Sequence, residues 1–229
     1  MKKLFLLIIL VLINFTFAVA HQPKLIKYSP SLNKPHKVIE PEISKAYYGK
    51  LNGEPHYYKI ESNVEFSFYA GITIPKIDEN VKWISLEVYD QNNNLIFNEN
   101  GKEYSWKAWY EPYARDWYWI GPQVGKHNDK QFKDTIKLKA GSYIIKVLNE
   151  DNKGSYSLAV GNVEFFGSNL TEKIYIWTPI LFYIGPYMDI FYWNKFDFKA
   201  YIPHLILLIL IYIFYFFIKK IFFKKKIIE

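Results

Sequence analysis

The chain has 229 residues, of which 50% are hydrophobic and 20% aromatic, with 29 basic and 22 acidic side chains, a formal charge of +7 and no cysteine. Without cysteine there is no disulfide, no thiolate nucleophile and no lipid-bearing Cys, so an ordinary apolar core must hold the fold. The positive charge sits at the ends: setting aside Lys2, Lys3, the five lysines at 219, 220, 224, 225 and 226, and Glu229 leaves basic and acidic groups nearly balanced, which removes nucleic acid as a partner.

Residues 1–20 read as a secretory signal peptide. Lys2 and Lys3 precede an apolar stretch that closes on Ala18-Val19-Ala20, a small-x-small cleavage site. An uncleaved anchor helix is the alternative. Cleavage makes His21 the first mature residue. Residues 21–42 carry four prolines and little alternation, and read as an extended arm lying along the domain that follows.

From residue 43 to 165 the pattern has period two. Val64, Phe66, Phe68, Ala70, Ile72 and Ile74 share one face; so do Ile84, Leu86 and Val88; Tyr143, Ile145 and Val147; and Tyr156, Leu158 and Val160. Alternation of this kind marks half-buried antiparallel strands. Asn52-Gly53, residues 90–94, Asn100-Gly101, Ala140-Gly141 and residues 152–154 supply the turns. Eight to ten short strands and no amphipathic helix predict an all-β fold, an antiparallel β-sandwich with jelly-roll or Greek-key connections.

Residues 99–134 form an aromatic insertion. The stretch 106–122 holds four of the seven tryptophans and Arg115, the one arginine of the chain. Pro112 bars a regular central strand up to that point, so the piece before Arg115 reads as loop and the piece after it as strand. Alternation sends Trp117 and Trp119 to one side, the core, and Tyr118 to the other, with Tyr110 or Tyr113 as its neighbours. Arg115 at the junction clamps the loop by a planar, forked contact. Two readings stay open: a loop pinned over the sandwich end by its own aromatics, or an exposed platform for a sugar or protein ligand, carried by Trp109, Tyr110, Tyr113, Arg115 and Tyr118.

Residues 166–200 lead to the C-terminus. The run 174–193 is apolar but broken by Pro179, Gly185, Pro186 and Asp189, and reads as an interfacial or broken segment, with a second span as the alternative. Residues 201–220 form a transmembrane helix: eighteen apolar-dominated residues at 1.5 Å each reach roughly 27 Å, close to the hydrocarbon thickness. Residues 221–229 are a basic tail, and lysines after the span place it in the cytoplasm. The protein is then a single-pass cell-membrane protein with residues 21–200 outside, in contact with lipid through one span.

The stretch from about residue 57 to 160 resembles pre-peptidase C-terminal domains, secreted jelly-roll modules attached to many exported microbial proteins. The residues that carry the resemblance are HYYKIESNVEFSFYAGI, ISLEVYDQNNNLIF and IKLKAGSYIIKVLNEDNKGSYSLAVG. The last is the most specific: an aromatic strand after Ala-Gly, a polar turn, then Gly-x-Tyr-x-Leu-x-Val. The resemblance implies a sandwich with no catalytic residues. The insertion 99–134 and the lack of an adjoining protease depart from that family.

Chemistry-bearing motifs are few. A mature N-terminal His21 supplies an amine and an imidazole to copper, and HQPKLIKYSP is similar to the mature start of periplasmic copper-resistance proteins of the C type. His36, His56 and His127 are its candidate partners, none at metal-ligand spacing. Asp90, Asn92 and Asn94 match the first half of a calcium loop, but Leu95 and Gly101 stand where Gly and Glu are needed, so a hairpin turn is expected. Glu111 and Asp116 are two acids near aromatics, as in glycosidases, without further support. No Gly-x-Ser-x-Gly, phosphate loop or His-Glu-x-x-His occurs. The expectation is a non-enzymatic, membrane-anchored binding or scaffolding module without a cofactor. Its partners are a carbohydrate or a membrane protein. The alternatives are a copper-binding exported protein and an accessory subunit of a membrane complex.

Overall fold

A computed structural model describes residues 21–76, 83–111, 116–124, 135–165, 167–169, 171–173, 176, 206, 209–210 and 212–216. The signal peptide, Tyr113, Arg115, His127, the run 177–193 and most of the span at 201–220 lie outside the described residues. The chain divides into two units, Met1–Phe191 and Tyr192–Glu229.

Within the first unit the described residues from 21 to 165 are all-β. In chain order the strands are β1 Gln22–Leu25, β2 His36–Val38, β3 Lys45–Asn52, β4 His56–Ser62, β5 Phe66–Phe68, β6 Ala70–Pro75, β7 Ser85–Tyr89, β8 Leu95–Glu99, β9 Lys107–Glu111, β10 Asp116–Val124, β11 Ile136–Leu138, β12 Gly141–Leu148 and β13 Lys153–Val160. They form a six-stranded sheet in the order β1-β3-β13-β6-β10-β9 and a five-stranded sheet in the order β2-β4-β12-β7-β8, with β5 and β11 as a separate pair. The two large sheets face each other as a sandwich.

Alternation puts one row of each strand into the space between them. Ile72, Tyr156, Leu158 and Val160 come from the first sheet; Tyr58, Ile60, Leu86, Val88, Ile145 and Val147 come from the second; all are fully buried. Each such side chain contributes roughly 1.5–3 kcal/mol relative to exposure, so these rows dominate the stability of the fold. Where the rows meet, the rings of Tyr47 and Tyr58 lie 5.6 Å apart. The Tyr156 hydroxyl sits between Tyr58 Oη at 2.7 Å and His56 Nδ1 at 2.8 Å. Gly49 makes room for that ring, since a Cβ there would stand 2.7 Å from Tyr156 Oη.

The structure places more strands than the sequence pattern separates. VEFSFYAGITI is two strands, because the chain changes sheet at Tyr69: β5 pairs with β11 and β6 with β13 and β10. Val64, expected on the inner row, is 68% exposed, since it precedes β5 in a turn closed by Ser62. Residues 21–42 contribute two short strands. β1 runs parallel to β3 and β2 parallel to β4, so the arm adds one edge strand to each sheet. It is tied down by Gln22 Nε2 donating to the Phe165 carbonyl at 2.6 Å, and by Lys45 Nζ donating to the carbonyls of Ile39 at 2.7 Å and Glu40 at 3.0 Å.

In the second unit the described residues Ile206, Ile209, Leu210 and 212–216 are helical and exposed. No helix of the described residues is long and apolar enough to cross a membrane.

Candidate functional site

The stretch rich in aromatics is a hairpin. β9 and β10 pair antiparallel, with Asp116 opposite Glu111, Trp117 opposite Tyr110, Tyr118 opposite Trp109 and Ile120 opposite Lys107. The expectation of loop before Arg115 is therefore corrected: residues 107–111 are a strand. Pro112 lies past its end, and β9 is the edge of the sheet, so the proline removes no ladder hydrogen bond from a central position. On its other side β10 pairs with β6, and the ladder continues as Lys76 N donates to the Trp117 carbonyl at 3.0 Å.

Register sorts the side chains. Trp117, Trp119, Ala108 and Tyr110 occupy one face, the face toward the core. Trp119 packs against the core and stands 6.0 Å from Trp83, which in turn lies 5.0 Å from Trp106. Trp106 donates its indole N–H to the Gly101 carbonyl at 2.7 Å. Its ring covers Gly121, where any Cβ would collide with it, so the glycine is what lets three indoles close the sandwich end. Farther along the hairpin the cover ends. Trp117 is 48% exposed and Tyr110 43% exposed, with ring centroids 5.5 Å apart. Lys76 Nζ stands 4.7 Å from the Trp119 ring and 5.4 Å from the Trp117 ring, bridging the covered and open parts by cation–π contact.

This revises two expectations. Trp117 is not a core residue: alternation sends it the way of Trp119, but it is 48% exposed. Tyr110 is not the neighbour of Tyr118: it faces Trp117. The partner of Tyr118 is Trp109, on the opposite, outward face, with ring centroids 6.4 Å apart. The candidate set thus splits into Tyr110 on one face and Trp109 with Tyr118 on the other, while Tyr113 and Arg115 fall outside the described residues.

The outward face continues into a groove of about 400 Å³ lined by Glu103, Tyr104, Ser105, Lys107, Ile120 and Gln123. Its floor is shaped by a break in the β6–β10 ladder between Ile120 and Gln123, where Pro122, lacking an N–H, is accommodated. Burial and the nearby Glu99 carboxylate raise the Tyr104 pKa, so its hydroxyl stays protonated. Lys76, Trp83, Trp106 and Gln123 were absent from the sequence-derived set. The two tryptophans carry a signal in being indoles beside the hairpin; Gln123 carries none.

The metal candidates are placed as follows. His21 shares a hydrogen bond with the Ser44 hydroxyl through Nδ1. His36 accepts or donates at 3.0 Å to Tyr28, and its ring packs on Tyr47 and Tyr58, while His56 is buried against Tyr156. Among the described residues no three His, Asp or Glu groups gather as a metal site. The Asp90 carboxylate accepts from the backbone of Asn92 at 2.8 Å and Asn94 at 2.9 Å and from the Asn94 amide at 2.9 Å, which makes the expected hairpin turn. Those same bonds hold its carboxyl below the usual range.

No family model matches the chain, and no curated protein matches it. Among solved structures it is similar to the pre-peptidase C-terminal domain of collagenase from Bacillus anthracis. The identity is 10% and the TM-score 0.32, over 62% of this chain and 97% of that one. That is the family which the motifs between residues 57 and 160 resemble.

Proposed function

We propose that this protein is a non-catalytic binding or scaffolding module held at the outer face of the cell membrane. In this reading residues 201–220 cross the bilayer once, the sandwich stands outside, and the lysines after the span stay in the cytoplasm. The observation that carries the binding role is the hairpin end, where Tyr110 and Trp117 are each nearly half exposed beside Lys76. Large rings left open beside a cation, on a rigid sheet edge, are the chemistry of recognition surfaces.

The test is photo-crosslinking in living cells. Benzoylphenylalanine at position 110 or 117 should form adducts that the same probe at Lys50 or Asn92 does not. Adducts that are absent, or the same from all four positions, would remove the binding role.

A further inference from the structure

We infer that the outward face of the β9–β10 hairpin is a subsite for an uncharged oligosaccharide, bound along the Trp109–Tyr118 pair and into the groove beside it. The inference goes beyond the binding-module reading, since it concerns the face of the hairpin opposite Tyr110 and Trp117.

Gln123 is the decisive residue. It is only 9% exposed, yet no hydrogen bond joins its side chain to another described residue. Gln123 lines the groove. A side chain amide beside a cleft, carrying both a donor and an acceptor, is matched to a pair of adjacent hydroxyls, each of which can give and take a hydrogen bond. Buried polar groups of this kind normally have partners, so one left open toward a cleft marks a place where a ligand or water completes it.

The surroundings fit the same ligand. Ser105 and Tyr104 add hydroxyls and Glu103 an acceptor, and with Lys107 as the one base beside that one acid the groove has no net charge to attract an ionic ligand. Trp109 and Tyr118 lie one step along the same face, two residues from Lys107 and Ile120 on their strands, which is roughly 7 Å. Aromatic faces there can stack on the C–H face of one sugar ring while the hydroxyls of the next enter the groove. The volume of about 400 Å³ falls within the range of ligand clefts, roughly 300–1,000 Å³. A peptide would instead need a deep apolar pocket for an anchor side chain, and Ile120 is the sole aliphatic side chain in the lining.

The experiment uses the full chain in lipid nanodiscs, with cellohexaose, chitohexaose, maltohexaose and a proline-rich decapeptide as probes, read by calorimetry and tryptophan fluorescence. One or more hexasaccharides should bind. Gln123→Leu, which keeps the packed stem, and Trp109→Ala should each weaken that binding by about tenfold or more, because the site then leaves sugar hydroxyls or a ring face without partners. Ser105→Ala, at an exposed position that cannot threaten the fold, should weaken it by a smaller factor in the same direction. Lys50→Ala and Asn92→Ala, exposed positions away from the hairpin, should leave it unchanged. A sugar bound with full affinity by Gln123→Leu and lost in Tyr110→Ser would overturn the groove and leave the binding module standing. Binding of the peptide alone would overturn the ligand class. If no probe binds a chain whose urea transition is intact, the inference fails, while the crosslinking experiment still judges the broader reading.

Discussion

His56 shows what a single buried group adds to this fold. It is 1% exposed, one ring nitrogen meets Tyr156, and the other, Nε2, is buried without a hydrogen-bond partner among the described residues. Burial lowers its pKa from 6.5 to about 4, so the folded state holds the ring neutral. Between those two values the unfolded chain binds the proton and the folded chain does not. Stability is therefore full above about pH 6.5 and falls as the pH drops toward 4, by up to roughly 3 kcal/mol. The urea midpoint followed against pH should fall over that window, and the His56→Gln variant should lack that part of the slope; parallel profiles would rule out the ring as its source. The tryptophans give a second contrast at this scale. Trp117→Ala should cost less than about 1 kcal/mol, since nearly half its surface is already wet. Trp119→Ala should cost about 2 kcal/mol or more, since it removes the ring that Trp83 packs upon. Equal losses in urea for the two would contradict the assignment of covered and open ends of the hairpin.

The hairpin is the element on which function is placed, and its packing makes a prediction of its own. Gly121 lies under the Trp106 ring, so Gly121→Val must expel that indole, unseat the Trp83 and Trp119 rings, and loosen the whole end of the six-stranded sheet. A loss of about 2–4 kcal/mol with a red-shifted tryptophan emission is expected; an unshifted spectrum would mean that the three indoles do not depend on that contact. Elements also show what a sequence reveals. The rows Ile84-Leu86-Val88, Tyr143-Ile145-Val147 and Tyr156-Leu158-Val160 were legible because each strand has one wet face, and all nine residues are buried. The change of sheet at Tyr69 was not legible. Both sheets face the same core, so Phe66, Phe68, Ala70 and Ile72 keep one inward period across the crossing. β9 was hidden for a different reason: an edge strand tolerates a proline at its end, and the local rule that excludes Pro from central strands misread it. The His56–Tyr58–Tyr156 cluster joins residues about a hundred positions apart, and no local pattern announces that. Of the candidate site, the aromatic richness was visible, but its division into two faces needed the register.

A chain of residues 21–168 contains every described strand of both sheets and the contacts that fasten the arm. It should be soluble, β-rich by circular dichroism and cooperative in urea; a gradual transition would show that the sandwich needs the rest of the protein. In intact cells a cysteine placed at Ser31 or Ser168 should react with an impermeant maleimide, and one at Ile228 should not. Labelling of the tail alone would reverse the proposed topology.

The pairing of β3 with β13 has a consequence for how the protein is made. Lys45 lies opposite Val160 and Asn52 opposite Lys153, so a strand near the start of the domain is completed by the last one. Closing that sheet spans more than a hundred residues, which makes folding slow relative to structures built from local contacts. A nascent chain that has emerged only as far as β12 has β3 without its main partner and the inner rows of the first sheet without their central strand. It must stay unfolded, and protease-sensitive, until β13 appears. The fold thus carries its own delay, and a polypeptide that stays open until nearly complete is one that a translocation channel can still thread.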